Sequence, residues 1–181
     1  MAARRPVRRI GEDRFALHLE PHVREIIGSL IDELRGAMRA RADGAGESAT
    51  SWSGPAGDAA DPVARLYPPA FPDDAEAEAA WADLVRPGLD DARTRRLERM
   101  ETTLAADELD ETAAAAWLGG LNDMRLVLGA QLGIAEDDPP PVAASDADAT
   151  RRMVFDYLGF LVASFVDALA EGPPEPGGGA A

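Results

Sequence analysis

WLGGLNDMRLVLGAQLG, residues 117–133, is the stretch of sequence that decides the fold. Its larger apolar side chains recur every three or four residues, which is the pattern of one face of an α-helix. They are Trp117, Leu121, Met124, Leu128 and Leu132. Asp110 is placed to cap the start of this helix and Gly133 to end it. The stretch therefore predicts a core helix over about residues 110–132.

Polar residues lie beside the apolar stripe of this helix. Asn122, Asp123 and Arg125 follow Trp117 and bring an amide and two opposite charges to the middle of a core helix. Buried polar groups normally have partners, so one interpretation is that these residues bond to neighbouring backbone or to another helix. The other interpretation is a polar pocket or a partner-binding face formed by the four residues. The sequence leaves both open.

Two adjacent glycines, Gly119 and Gly120, lie inside the same predicted helix. Each costs about 1 kcal/mol relative to alanine in a helix interior. Because they are in mid-helix, they do not form a phosphate-binding loop. We expect them to allow the close approach of a second helix at that point.

The N-terminal part of the chain predicts a β-hairpin followed by a helix. Apolar residues alternate with polar ones within residues 1–20, which favours short paired strands. A 3.6-residue period then predicts an amphipathic helix from Pro21 to about residue 42. Residues 43–60 are rich in Gly, Ser, Ala and Asp and predict a flexible loop.

The middle of the chain predicts an irregular segment and two helices. Residues 61–73 contain four prolines and four larger apolar residues, which favours ordered but irregular structure. A short helix is expected from Asp74 or its neighbour to Val85. Pro87 favours the first turn of a new helix, so a separate helix is predicted over residues 89–104.

The C-terminal part predicts a linker, a helix and a tail. Residues 136–148 are rich in Pro and Asp and predict a linker loop. Residues 151–171 predict a helix that is apolar over more than half of its circumference, and we expect it to be the central helix of a bundle. Residues 172–181 predict a disordered tail. The whole pattern predicts a mainly α-helical single domain over residues 1–171, with about five helices and a short N-terminal β-hairpin.

The net charge of the chain limits the kinds of partner that it can bind. The formal net charge is −15, and the 18 basic residues are all arginine. A field of this sign repels nucleic acid and anionic membranes, so neither is expected as a partner. Five arginines within residues 4–14 form a basic N-terminal arm, but no recognisable nucleic-acid-binding motif accompanies it.

The sequence also excludes several kinds of chemistry. It contains no cysteine, which excludes disulfides, thiolate nucleophiles and cysteine-ligated zinc. The only histidines, His18 and His22, are separated by Pro21 at a predicted strand-to-helix junction, so the i,i+4 metal-binding geometry of a helix does not apply. No phosphate-loop, nucleophile-elbow or triad motif is recognisable. We therefore expect no metal, no cofactor and no enzymatic activity.

The expected location is the cytoplasm. The basic N-terminus leads into no apolar region of the kind found in secretory signals. The most apolar run, residues 157–166, is about half the length that a membrane-spanning helix needs.

The chain resembles the DUF2017 family of uncharacterised actinobacterial proteins, which are commonly encoded beside the protease adaptor ClpS. The resemblance rests on Phe15–Leu19 with the helix after it, and on three further stretches. These are DPVARLYPPAFPDD, WLGGLNDMRLVLGAQLGI and VFDYLGFLVASFVDAL. It implies a small helical, non-enzymatic protein involved in the regulation of stress response, transcription or proteolysis. The family supplies no catalytic residues to carry over, and a redox switch based on thiols is excluded here.

Three functional hypotheses follow. The first is a regulatory protein-interaction module with a protein partner. The second is a small-molecule-binding protein or enzyme that uses a polar pocket near Asn122 and Arg125. The third is an oligomeric structural protein, because the last predicted helix carries more apolar surface than one neighbour can cover.

Overall fold

The computed structural model describes residues 5–42, 61–134 and 145–172, which form four helices, a 3-10 segment and three short strands. The strands are β1 (Val7–Arg9), β2 (Arg14–Leu17) and β3 (Glu108–Asp110), the helices are α1 (Pro21–Ala42), α2 (Ala75–Thr102), α3 (Glu111–Gln131) and α4 (Asp146–Ala170), and the 3-10 segment is Pro62–Leu66. This confirms a mainly helical domain with an N-terminal hairpin. The loop predicted at 43–60, residues 136–144 of the predicted linker and residues 173–181 of the predicted tail lie outside the described residues.

Helix α3 has the bounds that the sequence predicts. The Asp110 side chain accepts a hydrogen bond of 2.6 Å from the backbone N–H of Ala113, as expected of an N-cap. Gly133 follows the last turn with φ of 63°, a conformation that glycine adopts without strain. Both end signals are therefore confirmed.

The centre of the domain is α3, and α4 is not the central helix that its apolar circumference predicts. α3 contacts the other three helices, the 3-10 segment and the sheet, whereas α4 packs on α3 and β1. Only one face of α4 is buried, through Phe155, Leu158, Leu161, Phe165 and Ala168. The physical reason is that α3 already occupies the middle of the core, so part of the apolar surface of α4 stays exposed.

The adjacent glycines of α3 make room for side chains of α2. A Cβ atom at Gly120 would lie 2.0 Å from the Sδ atom of Met100, which is fully buried. A Cβ atom at Gly119 would lie 2.5 Å from Nε of Arg96. The expected close approach of a second helix is thus confirmed, and that helix is α2.

Glycines also bring α3 and α4 together. A Cβ atom at Gly129 of α3 would lie 3.0 Å from the ring of Phe155, and one at Gly159 of α4 would lie 3.3 Å from Nε of Arg125. Each helix therefore presents a glycine to a large side chain of the other. The stacked rings of Trp117 and Phe165, with centroids 6.0 Å apart, continue the interface toward the start of α3 and the end of α4.

The predicted hairpin is confirmed, and a third strand extends it. β1 pairs antiparallel with β2, with Val7 opposite Leu17. β3 pairs antiparallel with the other edge of β2, with Phe15 opposite Leu109. The sequence signal for β3 is weak because Leu109 is its only apolar residue. The strand joins α2 to α3 and fixes the point where α3 begins.

Helix α2 corrects the prediction of two helices separated by Pro87. It runs continuously over 28 residues with the proline inside it. Proline cannot donate to the carbonyl group four residues earlier, but Pro87 is exposed and water can satisfy that carbonyl. Packing on both sides, by Arg86 against Tyr67 and by Leu89 against the core, keeps the two halves in line. The described residues therefore contain four helices instead of about five.

Helix α4 begins earlier than predicted. Its cap is Ser145, whose hydroxyl oxygen accepts a 3.1 Å hydrogen bond from the backbone N–H of Asp148. Asp146 and Asp148 belong to its first turn, where the helix dipole favours negative charge. The predicted linker is wrong over its last three residues, because a run of aspartates that suits a linker suits a helix start equally well.

Replacing Gly120 by alanine tests the contact between α2 and α3. We expect Gly120→Ala to lower the free energy of unfolding by about 1–3 kcal/mol, because buried Met100 must move to admit a methyl group. Gly36→Ala on α1 is the matched control, since a Cβ atom there meets nothing within 4 Å. The control should raise stability by up to about 1 kcal/mol through helix propensity. Urea unfolding of both variants measures the contrast, and an equal gain in both would contradict the close approach.

Candidate functional site

The four residues predicted as a polar site do not form one pocket. Asp123 faces α2, and Arg125 faces α4. Asn122 is half-buried on the α3 surface between them, and Trp117 is fully buried. The spacing explains the separation, because successive residues of a helix point about 100° apart.

Trp117 is part of the core. Its ring stacks on Phe165, and its Nε1–H donates a 2.9 Å hydrogen bond to the hydroxyl oxygen of Thr103. Because the ring is fully buried and its single donor is satisfied, Trp117 holds helices together and offers nothing to a ligand or partner.

Asp123 joins α3 to two arginines of α2. Its Oδ2 atom accepts a 2.6 Å hydrogen bond from Nη1 of Arg96 and lies 3.7 Å from Nε of Arg93. Burial raises the pKa of the Asp123 carboxyl above its usual value, although both arginines act to lower it. The short contact alone would suggest a net stabilising ion pair. We give greater weight to burial, because desolvation of a carboxylate frequently exceeds the attraction that it gains.

Arg125 lies at the interface of α3 and α4. Its guanidinium carbon is 4.6 Å from the centroid of the Phe155 ring, which is the geometry of a cation–π contact. Its Nε–H is buried and has no hydrogen-bond acceptor among the described residues. One of the two sequence interpretations expects Arg125 to have a partner on another helix. The structure shows such a partner, and it is the aromatic ring of Phe155.

A second polar cluster, which the sequence analysis missed, surrounds Tyr67. We define the Tyr67 cluster as Tyr67, Asp90, Arg41, Arg86 and Arg93. The three guanidinium carbons lie 5.1, 5.8 and 4.6 Å, respectively, from the centroid of the tyrosine ring. The tyrosine comes from the chain just after the 3-10 segment, Arg41 comes from the end of α1, and the other three residues come from α2.

Hydrogen bonds fix the Tyr67 cluster in place. The Tyr67 hydroxyl donates to Oδ1 of Asp90, and Nη2 of Arg93 donates a 2.6 Å bond to the carbonyl oxygen of Leu66. Burial and the Asp90 hydrogen bond raise the pKa of Tyr67 to about 12, so the phenol stays neutral. The spacing of positions 86, 90 and 93, which places them on one face of a helix, was the sequence signal for this cluster.

An exposed apolar surface lies on α4. We define the α4 face as Met153, Tyr157 and Phe160, which share one side of the helix at spacings of four and three residues. Met153 is 66% exposed and Phe160 is 52% exposed. The rings of Tyr157 and Phe160 contact each other with centroids 5.9 Å apart.

Acidic residues of the α1 region border the α4 face. Burial and the nearby Glu20 carboxylate raise the pKa of Tyr157, while burial raises and Arg151 lowers the pKa of Glu33. Glu20 is thus near Tyr157, and Glu33 is near Arg151. Ile26, also exposed, lies midway between these two glutamates in the sequence. Carboxylates of the α1 region therefore lie near one side of the α4 face.

Two of the N-terminal arginines, Arg5 and Arg9, contact the C-terminal end of α4. Nε of Arg9 donates to the carbonyl oxygen of Ala168, and Nη2 of Arg9 donates to that of Leu169, each at 3.4 Å. Arg5 forms an ion pair with Glu171 at 2.8 Å. Positive charge at the C-terminal end of α4 complements the helix dipole. Arg4 lies outside the described residues.

Neither histidine belongs to a metal-binding group. Within residues 5–42, 61–134 and 145–172, no three His, Asp or Glu side chains are grouped so that they could hold a metal ion. His18 is half-buried, with a buried Nε2 atom that has no partner in that part of the chain, and His22 is exposed on the first turn of α1.

By length and composition alone, α4 could cross a membrane, and it is the one described helix that meets this test. In the structure, however, its buried face packs against α3, as does the core helix of a soluble domain. Asp156 and Asp167 lie on its exposed side, where they would meet the bilayer interior at considerable cost.

The fold and these surfaces define a small, mainly α-helical domain with a three-stranded antiparallel sheet at one end. Residues 4–169 match the family model described as domain of unknown function DUF2017, so the chain belongs to that family. The resemblance to the DUF2017 family drawn from the sequence is thus confirmed as membership of that family alone. Comparisons with the curated proteins and with the solved structures find no match to the chain.

The raised pKa of Asp123 predicts a specific pH dependence. A carboxyl whose pKa is higher in the folded than in the unfolded protein binds its proton more tightly when folded. Its contribution to stability is therefore greatest at low pH and declines as pH rises above the usual pKa of an aspartate carboxyl. We expect Asp123→Asn, which keeps the side chain neutral, to gain stability relative to the wild type as pH rises from 3.5 to 7.

Unfolding by urea at several pH values measures that difference. Asp91→Asn on the exposed side of α2 is the matched control and should show no such trend. If the stability of Asp123→Asn relative to the wild type instead falls between pH 3.5 and pH 7, the attraction of Arg93 and Arg96 outweighs desolvation and our interpretation is wrong.

Proposed function

We propose that the protein is a non-enzymatic protein-interaction module that binds its partner through the α4 face. The observation that carries the proposal is the surplus apolar surface of α4. One face of this helix is buried against α3, and Met153, Tyr157 and Phe160 lie exposed beside it. Contiguous exposed apolar surface on a soluble domain commonly marks a binding site.

The residue types of the α4 face suit a binding surface. Aromatic residues and methionine are enriched in protein interfaces, whereas exposed surface elsewhere favours charged residues. Tyr157 and Phe160 already contact each other in the free domain. Ordering of their side chains on binding therefore costs less entropy than for two independent rings.

The charge around the α4 face favours a basic partner. Glu20 and Glu33, which lie near Tyr157 and Arg151, form no ion pair in the described part of the chain. A partner with arginine or lysine beside an apolar stripe would complement both the α4 face and these carboxylates. An amphipathic helix binds by packing its apolar face against apolar surface of this kind. We therefore commit to a basic amphipathic helix as the bound element.

A second copy of the chain is the alternative occupant of the α4 face. A second copy offers the same apolar residues, but the carboxylates beside the α4 face of one copy would lie close to those of the other copy. The like charges would repel each other. The small-molecule alternative near Asn122 and Arg125 has less support, because those side chains are directed away from Asp123 and toward different neighbours.

The family resemblance supports a biological setting for this module. A family of actinobacterial proteins commonly encoded beside the adaptor ClpS suggests a cytoplasmic regulator of stress response, transcription or proteolysis. The acidic net charge is consistent with a protein partner and unfavourable for nucleic acid. This setting is part of the proposal, and the partner is defined by its chemistry alone.

Replacing Phe160 by serine tests the proposal. Affinity purification from the native host should recover a set of proteins with the wild-type chain and lose it with Phe160→Ser, with binding weakened by at least about 30-fold for a central aromatic residue. Val166→Ser is the matched control, because Val166 is also exposed on α4, at 48%, but points to a different side of the helix. That variant should retain the set.

The captured proteins are then tested directly. A helical peptide from the recovered partner, with basic residues flanking an apolar stripe, should bind the full chain and lose affinity with added salt. Loss of capture by both variants, or by neither, contradicts the α4 face as the docking site. Light scattering of the purified chain distinguishes the alternative, since a dimer that Phe160→Ser dissociates would show that the occupant is a second copy.

A further inference from the structure

The Tyr67 cluster concentrates positive charge in a strongly acidic protein. Arg41 pairs with Asp61, which leaves Arg86, Arg93 and the adjacent Arg96 to be balanced by other carboxylates. Asp123 pairs with Arg93 and Arg96, and Asp90, also in this cluster, accepts the hydrogen bond of the Tyr67 hydroxyl. Three guanidinium groups thus face two carboxylates, and one positive charge has no partner among the described residues. The net charge of the whole chain, −15, makes this local excess unusual.

Several N–H donors of this cluster have no acceptor. Nε of Arg86, and Nε and Nη1 of Arg93, are buried and find no hydrogen-bond partner in residues 5–42, 61–134 and 145–172. Buried donors are satisfied in most proteins, so three of them on two neighbouring guanidinium groups require an explanation. Both groups lie within 5.8 Å of the centroid of the same tyrosine ring.

The carboxylates already present do not satisfy these donors. Asp90 is engaged by the hydroxyl of Tyr67, and Asp123 accepts its short bond from Arg96. Nε of Arg93 is 3.7 Å from the same Asp123 oxygen, which is an ion-pair contact but too long for a hydrogen bond. No carboxylate lies within ion-pair distance of Arg86 in the described part of the chain.

We infer that Arg86 and Arg93 form a binding site for the phosphate group of a small ligand. Arginine offers planar, fixed N–H donors that suit oxyanions with several acceptor oxygens. Three free donors and an excess positive charge match a tetrahedral anion with more than one charge better than a single carboxylate. The Tyr67 ring holds both guanidinium groups by cation–π contacts, so that the donors are in place before the ligand arrives.

The site is independent of the α4 face. It lies where α2 meets the end of α1 and the chain after the 3-10 segment, whereas the α4 face lies beside the first part of α1. The failure of either proposal therefore leaves the other standing.

Titration of the full chain with inorganic phosphate tests the inference. Isothermal calorimetry at constant ionic strength, with chloride as the balancing anion, should show saturable binding of one phosphate. In ¹H–¹⁵N spectra, the Nε–H resonances of Arg86 and Arg93 should shift with the same saturation curve. The Nε–H resonance of Arg95, which is exposed on the same helix, should not move.

Arg86→Gln is the decisive variant, because Arg86 forms no ion pair or side-chain hydrogen bond among the described residues, and glutamine keeps an unbranched chain that can pack against Tyr67. It should weaken phosphate binding about tenfold or more, as loss of a charged donor does. Arg95→Gln is the matched control and should bind like the wild type. Circular dichroism confirms that both variants are folded.

Three results would overturn the inference. They are the lack of saturable phosphate binding by the wild type, an equal loss of binding in the Arg86→Gln and Arg95→Gln variants, and binding that shifts neither buried arginine resonance. Acetate provides a further comparison at the same ionic strength. Acetate binding as tight as that of phosphate would show that the site takes carboxylates and would contradict the assignment of a phosphate group.

Discussion

The close approach of α2 and α4 to α3 is the constraint on which the rest of the structure depends. Gly120 admits Met100 from α2, and Gly129 admits Phe155 from α4. A Cβ atom at Gly120 would require the buried Met100 side chain to move, and one at Gly129 would press on the Phe155 ring at 3.0 Å. Glycine lowers the intrinsic helix propensity of α3, so this helix exists because tertiary packing stabilises it. The strand β3 and the Asp110 cap fix where α3 begins and so align the glycines with their partners.

This arrangement determines which surfaces remain for function. Trp117, Asp123 and Arg125 are committed to contacts between helices, and only Asn122 of the predicted group stays at the α3 surface. Because α3 holds the centre, α4 is left with more apolar surface than the domain covers. On the α2 side, the same crossing crowds arginines around Tyr67 and Asp123. The α4 face and the Tyr67 cluster are therefore consequences of one packing solution.

Most of the fold could be predicted from the sequence where strong local signals agree with tertiary packing. The apolar period of α1 and α3, the Asp110 cap and Gly133 all specify elements that the structure confirms. The predictions failed where the decisive interaction is distant in sequence. Pro87 does not end α2, because Arg86 and Leu89 are held by other parts of the domain, and β3 is a strand only because β2 offers it an edge. The Tyr67 cluster could not be predicted for the same reason. Arg41 and Tyr67 are distant in sequence from the residues of α2 that they contact.

Residue-resolved amide hydrogen exchange of the folded protein tests the central role of α3 most directly. If α3 holds the domain together, its amides over residues 115–130 should be the slowest to exchange, and their opening free energy should equal that of global unfolding. Amides of α1 and of the second half of α4 should open earlier through local fluctuations. Exchange of the α3 amides through local opening, faster than that of α1, would contradict the account.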